Sequence, residues 1–461
     1  MKKIVLFYPD ITGDEDSEPL YQGLPLSVMA LAAQFDSEEY EVLLVDGRVE
    51  KQPEQRVLKW LDESVVCVGI SSMTSYQIKR GLAFAQFIRD SNPCIPIVWG
   101  GWHPSLMPEQ TIANDLVDIV IIGQGEITFP ELVQRLADKK DIGSIQNLVY
   151  KTGDKSIVHT PLAPLLDLTT VEPIKKAYRH VDMDRYIQPL WGNRRVLGYE
   201  SSRGCPWRCR FCSIGATYEG HWRALPAEAV VDGVEHLYKT YEIDAVHFYD
   251  NNFFVNTQRV EKFTSLLKER EISIKWDGTA VVEEFIKLSD EFIERLKQSG
   301  FFRVIIGVES GDEEVLERIN KRHRNAQVLE LARKCAKHGI MASLSFMVGF
   351  PWNPEKDVRE TVSLIEEIKR IAPNTEILLF IFSPYLGTEL YHTALEYGMS
   401  FPDDLMGWAQ YTYERANTPW ISEKLLRKIN RYISFFGTKD MSSAVQQFLQ
   451  GGKKDDTLAT R

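Results

Sequence analysis

The chain has 461 residues, of which 44% are hydrophobic and 26% are charged, and its formal net charge is −11. This length and composition favour a globular protein of several domains. The acidic balance argues against a general nucleic-acid binder, because such proteins usually carry a basic surface.

No run reaches the ~18 apolar residues of a membrane span. Met1-Lys2-Lys3 leads directly into the short apolar run 4–7, which does not resemble a secretory signal. Six cysteines in a chain of this length do not form a disulfide framework. These features predict a protein of the reducing cytoplasm, without a membrane span or a nucleic-acid partner.

Short apolar runs alternate with helical patterns over residues 1–145, which predicts a parallel sheet flanked by helices. The predicted strands are 3–7, 41–45, 65–70, 97–99 and 119–122, and the predicted helices are 26–35, 77–91, 108–114 and 129–137. This rhythm predicts an α/β, flavodoxin-like (Rossmann-type) domain. Its ligand is expected at the carboxyl ends of the strands.

The loops at those strand ends are rich in glycine and hydroxyl side chains. Glycine lets a bulky ligand approach the backbone, and hydroxyls can hydrogen-bond its amides. By themselves these loops suit a nucleotide-binding or a purely structural domain equally well. The candidate ligand-binding residues are Asp10, Ser71, Ser72, Thr74, Gly100, Gly101, His103, Gly123, Gly125 and Glu126.

Residues 146–194 are predicted to be a linker with a small hairpin. Residues 147–150 and 156–159 flank Thr152-Gly153-Asp154, a typical hairpin turn. From residue 195 to 391 the alternation of strands and helices resumes, with predicted strands at 196–201, 245–249, 273–276, 304–307, 343–348 and 376–382. In parallel barrels the chemistry lies at the carboxyl ends of such strands.

The first strand of this second region leads into Ser-Arg-Gly-Cys-Pro-Trp-Arg-Cys-Arg-Phe-Cys at residues 202–212. The stretch holds three of the six cysteines, at the spacing C-x3-C-x2-C. Thiolates are the ligands of iron–sulfur clusters, and a [4Fe–4S] cluster normally takes four. Three ligands leave one iron open to chelate a small molecule. Zinc or a chance grouping are the alternatives, but zinc would want a fourth Cys or His at paired spacing.

This stretch, including Phe211 before the last cysteine, resembles the signature of the radical S-adenosylmethionine (SAM) superfamily. The first region adds Leu24-Pro25-Leu26-Ser27, Asp46, a Gly-Gly-x-His-Pro turn and a Gly-x-Gly-Glu turn, which resemble the B12-binding radical SAM family. The resemblance implies a cobalamin-binding domain at 1–145 and a partial (β/α)6 barrel at 195–391. It also implies three cofactors: cobalamin, SAM and a [4Fe–4S] cluster on Cys205, Cys209 and Cys212.

The same resemblance implies SAM contacts at the strand ends of the barrel. Asp250 and Asn251 would take the ammonium group, and Glu309 would bind ribose. Lys321 would pair with the carboxylate, unless it is an exposed cation at a helix end. Asp277 would accept from ribose hydroxyls, and a solvated acid is the alternative. The further SAM-binding candidates are Phe211, Gly349, where adenine would approach the backbone, and Ser383.

The chain departs from other B12 proteins in one respect. No Asp-x-His-x-x-Gly motif surrounds any of its nine histidines, so the usual histidine ligand of cobalt is missing. His103 is the only histidine in the ligand-facing loops, and is either a turn residue beside Pro104 or a cobalt ligand. Val281 also stands where many relatives have arginine.

Residues 392–450 are predicted to form a helical cap with many aromatic side chains, and 451–461 a disordered tail. Aromatic stripes are usually core, although family precedent lets such a segment shape a substrate pocket.

The resemblance implies a methyltransferase acting on an unactivated carbon of a small molecule, lipid or natural product, with a flavodoxin or ferredoxin as electron donor. Tyr385 and Asp250 are candidate bases. Relatives that catalyse cyclisation, ring contraction or rearrangement provide the alternative, among them the anaerobic cyclase of bacteriochlorophyll synthesis and hopanoid-modifying enzymes. A tRNA methylthiotransferase would want a second cysteine set and a basic tail, and a cobalamin sensor would not need the three cysteines.

Overall fold

The computed structural model describes residues 1–11, 23–36, 38–411 and 418–436. These residues form two compact units. The first contains 1–186 and 401–411, and the second contains 187–400 and 418–436. The predicted tail at 451–461 lies outside the described residues, as does the predicted cap beyond 436.

The first unit is built on a seven-stranded sheet. Its strands are β1 (Lys2–Tyr8), β2 (Tyr40–Asp46), β3 (Val65–Ser71), β4 (Ile97–Gly100), β5 (Ile119–Ile121), β6 (Leu148–Lys151) and β7 (Ile157–His159). Their order is β2-β1-β3-β4-β5-β6-β7, with β1 to β5 parallel and the last two antiparallel. The first five strands follow the flavodoxin-like order, which confirms the predicted fold.

Helices cover both faces of this sheet, as the continuous apolar runs of its strands require. They are α1 (Leu26–Ala32), α2 (Pro53–Leu58), α3 (Tyr76–Ser91), α4 (Trp102–Leu106), α5 (Pro108–Ala113) and α6 (Thr128–Ala137). Short 3-10 helices follow at Leu168–Thr170, Ile174–His180 and Met183–Tyr186. The predicted hairpin is present, and because β6 pairs with β5 it extends the sheet.

The second unit contains an open sheet of six parallel strands. Its elements are β8 (Gln188–Leu190), β9 (Asn193–Tyr199), β10 (Ser202–Gly204), β11 (Trp222–Ala224), β12 (Ala245–Phe248), β13 (Lys275–Ala280), β14 (Phe301–Glu309), β15 (Met341–Val348) and β16 (Glu376–Ile381). The order is β16-β15-β14-β13-β12-β9-β8, and β8 is antiparallel to β9. A separate ribbon pairs β10 with β11. This is the predicted partial barrel.

The helices of this unit connect its strands and extend past the last one. They are α7 (Ser213–Tyr218), α8 (Ala227–Tyr241), α9 (Thr257–Glu269), α10 (Val282–Phe285), α11 (Asp290–Gln298), α12 (Glu313–Arg318), α13 (Asn325–His338), α14 (Pro354–Ile371), α15 (Glu389–Glu396) and α17 (Glu423–Phe436). A 3-10 helix spans Phe253–Val255. The short α16 (Leu405–Trp408) belongs to the first unit. No helix of the described residues is long and apolar enough to span a bilayer.

The predicted bounds of one barrel strand are wrong. The sequence placed the third strand at 273–276, whereas β13 runs from Lys275 to Ala280. Asp277, Gly278 and Thr279 look like a loop because they are polar or small. They continue the strand because they pair with residues 303–305 of β14, where the buried Arg303 also forms an ion pair with Asp277.

Candidate cofactor sites

The three cysteines of the signature lie on one loop between β10 and α7. All are free thiols and partly exposed. Burial raises the pKa of each thiol, for Cys209 to about 11, and the neighbouring cysteines contribute to the rise for Cys205 and Cys209. The loop therefore holds the three sulfurs within electrostatic reach of one another. No three metal-binding side chains of the described residues converge on one point. A cluster does not require this, since each cysteine binds a different iron.

Asp250 anchors the backbone that enters the cysteine loop. Its carboxylate is 1% exposed and accepts hydrogen bonds from the Ser201 backbone N–H at 2.7 Å and from the Ser201 and Ser202 hydroxyls at 2.6 and 2.5 Å. Burial raises its pKa, against the opposing effect of Arg259. Both of its oxygens are thus bonded inside the protein, and the predicted SAM contact and role as a base stay predictions.

Two further side chains, those of Asn251 and Glu284, hold the same loop. The Asn251 side-chain carbonyl accepts from the backbone N–H of Gly204, directly before Cys205, at 2.9 Å. Glu284 accepts from the Trp207 indole N–H at 2.9 Å and from the Asn252 amide at 2.8 Å. Glu284 was not predicted, because an acid in a short helix carries no sequence signal for this role.

Glu309 and Lys321, predicted to bind SAM, lie side by side. The Lys321 ammonium is 3.1 Å from a Glu309 carboxylate oxygen and donates to the Gly307 carbonyl at 2.8 Å. Burial lowers the pKa of Lys321, but Glu309 and Cys209 outweigh this and raise it. The alternative of an exposed helix-end cation is therefore wrong. Together these residues present one positive and one negative group beside the cysteine loop.

The loop after β15 is held by a buried carboxylate. Asp357 accepts from the Gly349 N–H at 2.7 Å, the Phe350 N–H at 3.3 Å and the Ser310 hydroxyl at 2.6 Å. Burial raises the pKa of Asp357 to about 6. It thereby joins the loop after β14 to the loop after β15. Asp357 carries no local sequence signal for this role.

Gly349 has a structural reason to be glycine. Its φ is +89°, and a Cβ there would lie 2.6 Å from Ile421 Cδ1. Its carbonyl accepts from the Trp420 indole N–H at 2.8 Å. The side where a Cβ would stand is thus filled by protein, and adenine contact at this residue stays a prediction.

Asp277 lies inside β13 and not in the loop that the sequence predicted after residue 276. Its carboxylate is 0% exposed and lies 2.8 Å from His247 Nδ1 and 3.1 Å from the Arg303 guanidinium. Arg303 also pairs with Glu376 at 2.9 Å and stacks on Trp191. The alternative of a solvated acid is therefore wrong, since the carboxylate lies in an internal ion-pair network, and the ribose contact stays a prediction.

The remaining barrel candidates differ in their surroundings. Phe211 packs against a core cluster that includes Leu316, Phe350 and Phe382, and its ring lies 6.0 Å from the Lys321 ammonium. The Ser383 hydroxyl is buried and has no hydrogen-bond partner among the described residues. Tyr385 is 54% exposed, and its role as a base stays a prediction.

In the first unit, the loops after β3 and β4 are fastened together. The Thr74 hydroxyl lies 3.0 Å from His103 Nδ1, and the His103 backbone N–H donates to the Ser72 carbonyl at 3.2 Å. Gly101 has a φ of +100°, and a Cβ there would lie 2.7 Å from the Ser72 carbonyl oxygen. The Ser71 hydroxyl lies 2.9 Å from that of Ser27. Five predicted residues thus form one cluster.

The neighbouring loops join this cluster. The Ser105 hydroxyl donates to the Gly101 carbonyl at 2.7 Å and accepts from the Gly123 N–H at 2.8 Å. Gln77, which was not predicted, accepts from the Met73 N–H at 2.8 Å and donates to the Pro9 carbonyl at 3.0 Å. The other candidates lie at the ends of the same strands. They are Asp10 after β1, Gly100 at the end of β4, and Gly125 and Glu126 after β5.

Three polar atoms at this edge are buried without partners among the described residues. They are Ser72 Oγ, His103 Nε2 and Gln124 Nε2, which follow the adjacent strands β3, β4 and β5. Burial lowers the pKa of His103 to about 4, so its imidazole is neutral at pH 7. Each unpaired polar atom costs about 1–3 kcal/mol. Three unpaired polar atoms at adjacent strand ends fit a ligand with many amides, because amides can supply the missing hydrogen bonds.

The two units match two family models. Residues 17–133 match the B12 binding domain and residues 199–365 match the Radical SAM superfamily. The chain therefore contains a B12-binding domain and a radical SAM domain. This confirms the resemblance and the three cofactors that it implies.

Several relatives of this B12-binding radical SAM protein span most of its length. An uncharacterised methyltransferase of Pyrococcus horikoshii is 29% identical, over 90% of this chain and 88% of its own length. An anaerobic magnesium-protoporphyrin IX monomethyl ester cyclase of Synechocystis is 21% identical, over 82% and 74%. The radical SAM methyltransferase TsrM of Kitasatospora setae, solved with cobalamin and a [4Fe–4S] cluster, has a TM-score of 0.67 at 18% identity, over 86% and 75%. That similarity shows the fold alone.

Proposed function

We propose that this B12-binding radical SAM protein is a C-methyltransferase acting on an unactivated carbon of a small molecule, lipid or natural product. The observation that carries the proposal is that one chain combines a three-cysteine loop on an open barrel with a flavodoxin-like unit. At the ligand edge of that unit, three buried polar atoms have no partner within the described part of the chain. Relatives named as methyltransferases support it. When bound, the cluster and SAM supply a 5'-deoxyadenosyl radical, and cobalamin supplies the methyl group.

In the second unit the protein's part is to hold and orient. Cys205, Cys209 and Cys212 would hold the cluster, leaving one iron for SAM. The Lys321 ammonium would bind the SAM carboxylate and Glu309 the ribose hydroxyls, each exchanging part of its contact with the other. Lys321 would gain a charged partner and Glu309 would gain hydroxyl donors, so neither group would be left buried without a partner.

In the first unit, the loops after β3, β4 and β5 would receive the polar edge of cobalamin. Ser72, His103 and Gln124 carry the polar atoms that no other described residue bonds. His103 Nε2 is fully buried, and Nδ1 is taken by Thr74. We propose that His103 is a hydrogen-bonding turn residue and not a cobalt ligand, because no Asp-x-His-x-x-Gly motif surrounds it.

The reaction requires a reductant, and a flavodoxin or ferredoxin is the proposed electron donor. Partly exposed cysteines that hold a cluster also favour the reducing cytoplasm. We propose residues 1–145 as the cobalamin-binding domain, residues 195–391 as the radical SAM barrel and residues 392–450 as a cap.

Cyclisation or rearrangement without methyl transfer is the second candidate, favoured by the similarity to the Synechocystis cyclase. Product analysis separates the two. Anaerobically reconstituted protein would be incubated with cobalamin, SAM, a reductant and candidate substrates. Substrate-dependent S-adenosylhomocysteine and 5'-deoxyadenosine in about equal amounts indicate methyl transfer. 5'-Deoxyadenosine alone, with cobalamin bound, indicates the second candidate.

The site assignment has its own controls. A Cys205→Ala, Cys209→Ala, Cys212→Ala variant should lack the visible cluster absorbance and form no 5'-deoxyadenosine. Cys94→Ala is the matched control, because it removes an exposed thiol elsewhere in the chain. Retention of the cluster in the triple variant would contradict the assignment.

A further inference from the structure

Two tryptophans that follow the barrel each bond beside a different cofactor loop. Trp408, at the end of α16 in the first unit, is fully buried, and its indole N–H donates to the Gln110 side-chain carbonyl at 2.7 Å. Trp420, in the second unit, donates to the Gly349 carbonyl at 2.8 Å. Only twelve positions separate the two tryptophans in the sequence.

Trp408 packs against the loop after β4. Its ring centroid lies 5.8 Å from that of His103, at an interplanar angle of 57°. Phe401 stacks on Trp408 at 5.9 Å, and Tyr411 meets it edge-on at 5.0 Å. The buried indole needs a partner for its N–H, and Gln110 supplies it. Trp408 thus restricts the imidazole whose Nε2 has no partner among the residues that the structure describes.

Trp420 packs in an equivalent way on the second unit. It lies against the core cluster that contains Phe350 and Phe382, against which Phe211 of the cysteine loop also packs. Its N–H bond holds the carbonyl of Gly349, and the adjacent Ile421 fills the space beside that glycine. Trp420 therefore restricts the loop after β15.

We propose that Trp408 and Trp420 are positioning residues, the first for cobalamin and the second for SAM. Neither would touch its cofactor, and each would act through the loop that it restricts. A loop that is ordered before binding does not have to lose that freedom on binding, which strengthens affinity. The proposal rests on the proposed cofactor loops, and it gives the C-terminal segment a role other than shaping the substrate pocket.

The test compares Trp408→Leu and Trp420→Leu in the full, anaerobically reconstituted protein. Cobalamin affinity is measured by titrating hydroxocobalamin and following its absorption spectrum. SAM affinity is measured from the change that SAM causes in the EPR spectrum of the reduced cluster. Trp408→Leu should weaken cobalamin binding by about 5- to 100-fold and leave SAM binding within about twofold, as expected for a lost packing and hydrogen-bond contact. Trp420→Leu should do the reverse.

Gentler variants guard against unfolding. Trp408→Phe keeps a ring against His103 but loses the N–H, and Gln110→Leu removes the acceptor. Both should weaken cobalamin binding less than Trp408→Leu does, with SAM binding unchanged. Parallel losses of both affinities in either leucine variant, or no loss at all, would overturn the proposal. Failure of the proposed function has a different signature, because the wild-type protein itself would then bind neither cobalamin nor SAM.

Discussion

Replacing Asp250 separates an anchoring role from a catalytic one. The carboxylate accepts one backbone and two hydroxyl hydrogen bonds, and it is buried. Asp250→Ala strands the Ser201 N–H and leaves a small cavity. Asp250→Asn keeps one acceptor oxygen but loses the charge. We expect a loss of about 2–4 kcal/mol in the free energy of unfolding for alanine and about 1–2 kcal/mol for asparagine.

The assay for Asp250 has two readouts. Urea denaturation gives the change in stability, and iron and sulfide analysis after reconstitution gives the cluster content. Because Ser201 and Ser202 lead into the cysteine loop, both variants should bind less iron than the wild type. The Asp250→Ala variant should bind the least iron. Asp277→Asn is the matched control, since it weakens a buried network that does not contact this loop. An Asp250→Asn protein with normal stability and iron content but no SAM cleavage would refute this reasoning and favour the catalytic assignment.

Three further predictions concern the other groups. Lys321→Met should abolish SAM binding and destabilise the protein by about 3–5 kcal/mol, because it leaves Glu309 buried without a partner. Adding Glu309→Gln should restore stability but not SAM binding. Scanning calorimetry measures the stability of each variant, and titration calorimetry measures its SAM binding. Gly349→Ala should cost about 1–3 kcal/mol, because its φ is positive and a Cβ would press on Ile421; an unchanged denaturation midpoint would contradict this. The pKa of His103 is lowered from 6.5 to about 4, so its contribution to stability is present above pH 6.5 and lost as the pH falls toward 4, by up to about 3 kcal/mol. His103→Gln should flatten that acid loss, and identical pH profiles for variant and wild type would refute the assignment.

The sequence by itself determined the features that depend on local pattern. The cysteine spacing lies within a few residues, and the apolar runs mark buried parallel strands wherever they occur. Hence both folds, the cluster ligands and the loops at the strand ends could be predicted. Even the hairpin after residue 145 was readable, since its turn residues are adjacent.

Only the tertiary structure decided which polar group meets which. Asp250 and Asp277 follow or lie in neighbouring strands and look alike in sequence, yet one anchors the cysteine loop and the other pairs with Arg303. Trp408 bonds to Gln110, 298 residues away. Such pairings depend on strand register and on where the chain returns, and no local pattern records them. A buried carboxylate takes its role from the donors that the fold places around it.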